Sequence, residues 1–300
     1  MTVLTQISAR ATVGRATLIG GTAVLMWATL ALLTTQAGTV PPFQLVAMAF
    51  AQAFFIGLAW PLARRRSPFA PLRQRPAVWL LGVGGLFGFH FLFFVAIRLA
   101  PPVEANLINY TWPLLIVLFS AFLPGERLRW WHVAGAVLGL AGAALLITKG
   151  GRIDLRAEHA AGYAAAIGSA LIWSGYSVLS RRVGDVPTDA VGGFCGATAL
   201  LALGCHLALE QTVWPDAAGW LAVLGLGLGP VGLAFFVWDH GVKKGDIRVL
   251  GAFAYAAPLL STVLLISFGL GEPSWRVGAA CLLIVGGAAL AARDMFRRDG

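Results

Sequence analysis

The sequence predicts an all-α integral membrane protein, with ten transmembrane helices forming two inverted five-helix repeats. Three observations carry this expectation. The first is composition: of 300 residues, 58% are hydrophobic, mean hydropathy is +0.80, and only 22 Lys+Arg and 13 Asp+Glu carry full charge. A soluble domain is about 45–50% apolar and about 25% charged, so this chain has too few charges to cover a water-facing surface. The second is a succession of ten apolar runs, each near the roughly 20 residues that a helix needs to cross a bilayer. The third is a pattern of Trp, Pro and Glu that occurs twice in the same order.

The runs are 16–35, 43–62, 78–99, 103–121, 130–148, 160–180, 188–209, 218–240, 247–269 and 274–292, separated by short polar or Pro/Gly-rich breaks. Helices are the expected form, because an open strand in lipid leaves its edge unsatisfied. The first run follows Arg10 and Arg15. It reads as a retained span and not a cleaved leader, since it is about 20 residues long and Thr34-Thr35-Gln36 is no small-x-small site. Few residues remain outside the spans, so residues 1–150 and 151–300 read as two halves of one membrane domain.

The charges then orient the chain. With the N-terminus in the cytoplasm, 17 basic residues fall on inner segments, among them Arg64, Arg65, Arg66, Arg127, Arg129, Arg181, Arg182, Lys243, Lys244, Arg248, Arg297 and Arg298. Five fall outside: Arg98, Lys149, Arg152, Arg156 and Arg276. Basic residues concentrate on the cytoplasmic side of membrane proteins, so the net charge of +9 reads as an orientation signal and not as a nucleic-acid face. Both termini are expected in the cytoplasm. Cys195, Cys205 and Cys281 fall in spans with no CxxC, as small buried residues rather than a disulfide or zinc framework.

Trp27 precedes Pro113 by 86 residues and Glu126 by a further 13. Trp173 precedes Pro258 by 85 and Glu272 by a further 14. Each Pro follows a Tyr by three positions (Tyr110, Tyr255), each Glu follows a Gly (Gly125, Gly271), and a Phe-rich segment precedes both (Phe93-Phe94, Phe235-Phe236). Five spans per half is odd, so the second half enters the membrane inverted. Secondary transporters commonly use such repeats, with the substrate site near the midplane between them.

With Ala16-Thr-Leu-Ile-Gly-Gly and Trp27-Ala-Thr, Glu104-Ala-Asn-Leu-Ile-Asn-Tyr-Thr-Trp-Pro113, Ile172-Trp173-Ser-Gly-Tyr176, and Trp238 with Gly241, the whole chain resembles the drug/metabolite transporter superfamily, EamA type. It is similar in particular to bacterial exporters of aromatic amino acids. The resemblance implies alternating-access export of such solutes across a bacterial inner membrane. His90 departs from the pattern, standing where relatives can carry a carboxylate.

Polar residues inside the spans form stripes. Asn106, Asn109, Tyr110 and Pro113 share one helical face with Trp112 at its border. Ser169, Trp173, Tyr176, Ser177 and Ser180 line another, Gly251, Tyr255, Pro258 and Thr262 a third, and Phe89, Phe93 and Phe94 surround His90. Isolated Ser and Thr more often serve helix packing, and Gly84/Gly88, Gly135/Gly139 and Gly192/Gly196 read as close-packing seams. Trp60, Trp79, Trp130, Trp131, Trp214, Trp220 and Trp275 sit at span ends, as an interfacial belt would. Trp27, Trp112 and Trp173 are deep, and a deep indole N–H wants a partner. The candidate pathway residues are therefore His90, Phe89, Phe93, Asn109, Tyr110, Trp112, Trp173, Tyr176, Trp27 and Tyr255.

Intramembrane ionisable groups are functional candidates, and His90 is the deepest. His206, Glu210, Asp239 and His240, nearer span ends, are expected to be hydrated, and Arg98 could pair with Glu104. No Asp or Glu sits at a span centre. That argues for facilitated movement of a neutral, flat, amphipathic solute, which the resemblance sharpens to an aromatic amino acid. A proton-coupled multidrug or metabolite exporter, with His90 as carrier, is the alternative of the same fold. An intramembrane lipid-modifying enzyme is disfavoured by the missing DxxxD cluster, HExxH and His pair. No cofactor, catalytic residue or metal is expected. The partners are a small-molecule substrate and the bilayer, with no nucleic acid; a monomer satisfies the sequence.

Overall fold

The computed structural model describes residues 3–296, which leaves Arg297 and Arg298 outside. Every regular element among them is helical, and they assemble into ten rods. α1 runs Val3–Ala28 and, past Thr29, continues as Leu30–Gln36. α2 is Pro42–Ala63 and α3 is Pro76–Leu99. α4 is split into Pro102–Asn109 and Trp112–Phe119. α5 is Trp130–Ile147, α6 Ala160–Arg182 and α7 Ala190–Leu209. α8 comprises Ala217–Leu228, a π-helical turn Gly229–Leu233, and Ala234–Lys244. α9 is split into Ile247–Phe253 and Ala256–Ser267, and α10 is Trp275–Ala291.

Eight of the ten are long and apolar enough to cross a membrane. α10 falls short only in length, at 17 residues. α6 has 23 residues but is less apolar than a lipid-facing span. The physical reason is burial: Ser169, Ser174 and Ser177 have no exposed surface, because α6 faces protein on several sides. An inner helix need not resemble lipid.

The packing follows a two-fold pseudo-symmetry. Pairing spans by the repeat (α1 with α6, α2 with α7, and so on) maps the α3–α6 contact onto α8–α1. The α2–α7 and α5–α10 contacts map onto themselves, and all four are extensive. Glycines set the close approaches. A Cβ on Gly57 of α2 would lie 2.6 Å from the Gly192 Cα of α7, and one on Gly20 of α1 would lie 2.7 Å from the Gly241 Cα of α8. Gly135 abuts the Gly287 backbone of α10, Gly139 takes the Tyr255 ring, and Gly196 takes Phe54.

Some sequence expectations need correction. Gly84 faces open space and Gly88 meets only the Ile172 side chain; the α3 seam is instead Gly82 against Phe194 and Gly85 against Tyr176. Trp131 is buried and donates to Asp294 at 3.3 Å, so it does not face lipid at its span end; Trp79 is partly exposed there and packs on Phe194. Cys281 is exposed, not buried.

Four rods are interrupted at mid-depth. Pro113 and Pro258 each follow a break, at Tyr110–Thr111 and Ala254–Tyr255, because a proline cannot donate to the preceding turn and its ring crowds the carbonyl four residues back. Pro230 lies in the π turn of α8, and α1 is interrupted at Thr29.

Candidate functional site

The interruptions expose backbone groups that side chains must satisfy, and this fixes the centre. The Trp27 indole donates to the Pro230 carbonyl at 3.1 Å, tying the break of α1 to that of α8. The Leu114 N–H, just past the α4 break, donates to the Tyr255 hydroxyl at 3.1 Å, tying α4 to α9. Unpaired backbone groups in a dry interior are costly, so these bonds hold the two halves in register.

Around Trp27 stands a cage of rings. Its centroid lies 5.9 Å from Trp112, 6.0 Å from Trp173, 5.0 Å from Trp238 and 6.5 Å from Phe235. Trp173 extends the set to Tyr176 at 5.3 Å and to Phe89 at 5.5 Å. Phe89 is edge-on to His90 at 5.1 Å and stacked over Phe93 at 6.1 Å. Phe50 lies 5.2 Å from His90 and stacks on Phe235 at 5.3 Å. The contacts are mostly edge-to-face, the arrangement favoured by the ring quadrupole.

Hydrogen-bond accounting separates the four indoles. Trp27 is satisfied by Pro230, and Trp238, wholly buried, donates to Ser177 Oγ at 3.1 Å. The indole N–H groups of Trp112 and Trp173 make no hydrogen bond among the described residues, although only 7% and 3% of the residues' surfaces are exposed, and neither nitrogen is sealed. Their N–H groups are free donors. His90 Nδ1 lies 2.7 Å from the Leu86 carbonyl. A carbonyl only accepts, so Nδ1 carries the proton, and Nε2 of the neutral ring is an unused acceptor. The site thus offers aromatic faces, two indole donors and one imidazole acceptor.

Seven of the ten sequence candidates join this set directly: Trp27, Phe89, His90, Phe93, Trp112, Trp173 and Tyr176. Asn109 is buried and accepts from Ser169 on α6, a bond that also joins helices. Tyr110 is partly buried beside the α4 break. Tyr255 stands apart, fully buried against Gly139 with its hydroxyl taken by Leu114. Sequence reasoning missed Phe50, Phe235 and Trp238 as members. Trp238 and Phe235 carried a signal in their span position and the repeated Phe motif; on the span of Phe50 the polar residues, Gln44 and Gln52, bond to the Val213 and Val223 carbonyls and do not mark it.

Of the four ionisable groups expected to be hydrated near span ends, His240 is partly exposed, but Asp239, His206 and the Glu210 side chain are buried. Asp239 is 2% exposed because Lys243 at 2.9 Å and Thr188 at 2.7 Å partner it. His206 and Glu210 are paired at 3.0 Å, with the Glu210 side chain 3% exposed and accepting the Phe43 and Gln44 backbone N–H groups at the start of α2. Arg98 lies 3.7 Å from Glu210 and not against Glu104. Buried carboxylates persist where such partners replace water.

The bundle is tightly packed at its arginine-rich end, where Trp238, Val242 and Ile247 have no exposed surface, and looser at the other. From Phe87 to Val95, nine successive residues of α3 are all partly exposed. A helix with only one face to lipid would alternate buried and exposed residues; this half of α3 has open space on its inner side as well.

Comparison with known proteins gives the same picture. The model of the EamA-like transporter family matches residues 15–148 and again 160–293. The chain is 56% identical over 277 residues to the aromatic amino acid exporter YddG of Ancylobacter novellus, covering 92% of this chain and 96% of that protein. It is 26% identical over 299 residues to the aromatic amino acid exporter YddG of Escherichia coli, covering 92% and 96%. A crystal structure 54% identical in sequence superposes with a TM-score of 0.89, covering 94% of this chain and 99% of that one. A double family match laid on two five-helix halves, with relatives similar along nearly the whole length, leaves one conclusion: this multi-pass membrane protein belongs to the EamA-like transporter family.

Proposed function

We propose that the protein exports aromatic amino acids and similar neutral amphipathic metabolites across the bacterial inner membrane, by alternating access and down their gradient. The carrying observation is the ring cage with its free polar groups, in a chain 56% identical to a protein named as an aromatic amino acid exporter. The side chain of such a solute stacks among the rings. Its carboxylate takes the Trp112 and Trp173 donors, and its ammonium takes His90 Nε2.

Residues 1–150 and 151–300 act as the two halves that rock about this site. The arginine-rich end, and with it both termini, faces the cytoplasm, as the positive-inside rule directs. The reading is transport and not catalysis, with no cofactor and no nucleic acid. Facilitated movement follows from the absence of a carboxylate at mid-depth.

The test is release of preloaded Trp or Phe from liposomes containing the purified protein. Release faster than from protein-free liposomes is expected, with no dependence on an imposed pH gradient. Equal release overturns the substrate assignment. Concentrative movement that collapses with the gradient overturns the facilitated mechanism and makes His90 the proton carrier.

A further inference from the structure

The repeat supplies two equivalent glutamates, one at each end of the molecule, and the structure treats them differently. Glu126, in the turn between α4 and α5, is largely buried. It pairs with Arg181 of α6 at 2.7 Å and with Arg248 of α9 at 3.4 Å. Arg181 also donates to the Val242 and Gly245 carbonyls at 3.0 and 2.6 Å, satisfying the C-terminus of α8. Arg248 holds Asp246 at 2.7 Å, and the Asp246 N–H donates to Thr17 Oγ1 of α1 at 2.8 Å. Two cations and two anions thereby knit α1, α6, α8 and α9 to the α4–α5 turn across one mouth of the pathway.

Glu272, the repeat mate of Glu126, is exposed and makes no ion pair among the described residues. The reason lies in the sequence. Shifting Arg181 and Arg248 back by the repeat offset of 145 or 146 residues lands on Gln36, Thr35, Val103 and Pro102, none of them basic. The scaffold is symmetric, but the ion network exists at one end only.

We propose that Glu126 is a positioning residue of the transport cycle: its pairs with Arg181 and Arg248 hold the cytoplasmic mouth shut and must part before solute loads. The one-sided lock favours the state closed to the cytoplasm. Removing one member of a partly buried ion cluster leaves the others uncompensated, so a single neutral substitution is enough to release it. The inference rests on the alternating-access reading but not on the identity of the solute.

The test reads accessibility of Ser180, which is buried on the pathway face of α6 at this end. Ser180→Cys is placed in a chain whose three native cysteines are replaced by Ala, and inside-out vesicles are treated with a membrane-impermeant maleimide, with no solute present. Labelling should be slow with Glu126 intact. It should speed at least about tenfold in Glu126→Gln, a modest part of what breaking a buried pair can cost, and return to slow in Glu126→Asp. Arg181→Gln should also speed labelling, and the double variant should fall short of the two effects combined, because the variants share the Glu126–Arg181 coupling. If Glu126→Gln does not accumulate, Arg181→Gln against Arg181→Lys decides. Unchanged labelling in the neutral variants, or additive effects in the double, overturns the proposal. A liposome assay that fails for Trp and Phe leaves this result standing, so the two failures are distinguishable.

Discussion

Replacing Trp112 and Trp238 separately by Phe tests the division of labour among the indoles. Both substitutions keep a ring and lose similar volume, so the packing loss is common to both. The Trp112 indole has no hydrogen bond to lose within the protein, and its carbonyl keeps the Ser174 hydroxyl in either variant, whereas Trp238 loses its bond to Ser177. A buried group left without its partner costs about 1–3 kcal/mol, so Trp238→Phe should be the less stable of the pair by that amount. For binding the order reverses. A hydrogen bond to a charged group is worth about 1.5–3 kcal/mol, so losing the Trp112 donor to a carboxylate should weaken affinity by about 10- to 150-fold. Calorimetric binding of Phe to the purified variants, with thermal melts of the same samples, measures both. Native affinity in Trp112→Phe, or an equal loss of stability in the two variants, would refute the assignment of Trp112 as a solute donor.

Other substitutions probe the scaffold. Gly57→Ala places a methyl 2.6 Å from the Gly192 Cα, backbone against backbone, and should lower the melting temperature, while Ala at Gly84, which faces open space, should not. Asn109→Ala removes the acceptor for Ser169 and should cost about 0.6–1.7 kcal/mol, the range for interhelical hydrogen bonds in membranes, as read from unfolding in mixed detergent. Burial would raise the Asp246 carboxyl, but the hydrogen bonds and charge of Arg248 outweigh it and hold the group below the usual carboxylate range. Its contribution to stability is therefore full above an unfolded pKa of about 3.9 and is lost as pH falls through the lower folded value. Melting curves taken down this range should fall more steeply for the native protein than for Asp246→Asn.

The sequence displays ten rods, the inversion and seven of the ring-cage members because those features obey length, spacing and the rule that deep polar atoms need partners. What it hides depends on partners far along the chain. Glu210 looks like a hydrated span end until α2 is seen to present two backbone N–H groups to it across 166 and 167 residues. Arg98 sits near Glu104 in sequence, yet α7 brings Glu210 closer. Phe50 lies on a helix whose two polar side chains, Gln44 and Gln52, bond to the Val213 and Val223 carbonyls, so neither marks the side that faces His90.

Tyr255 shows why a local motif can be recognised and its role still misread. Tyr110 and Tyr255 occupy equivalent places before Pro113 and Pro258, and symmetry invites the same task for both. An inverted repeat relates backbones, whereas each side chain meets the opposite half of the molecule, where the sequence differs. Tyr255 meets Gly139 and the freed Leu114 N–H, so it seals the α4 break and is consumed by structure. Tyr110 has no such bond and stays partly open beside the same break. Tyr255→Phe should therefore strand the Leu114 N–H and destabilise the protein by about 1–3 kcal/mol, while Tyr110→Phe should leave stability nearly unchanged. Equal melting temperatures for the two variants would mean that the break in α4 is satisfied some other way, and the coupling of the two halves through it would have to be abandoned.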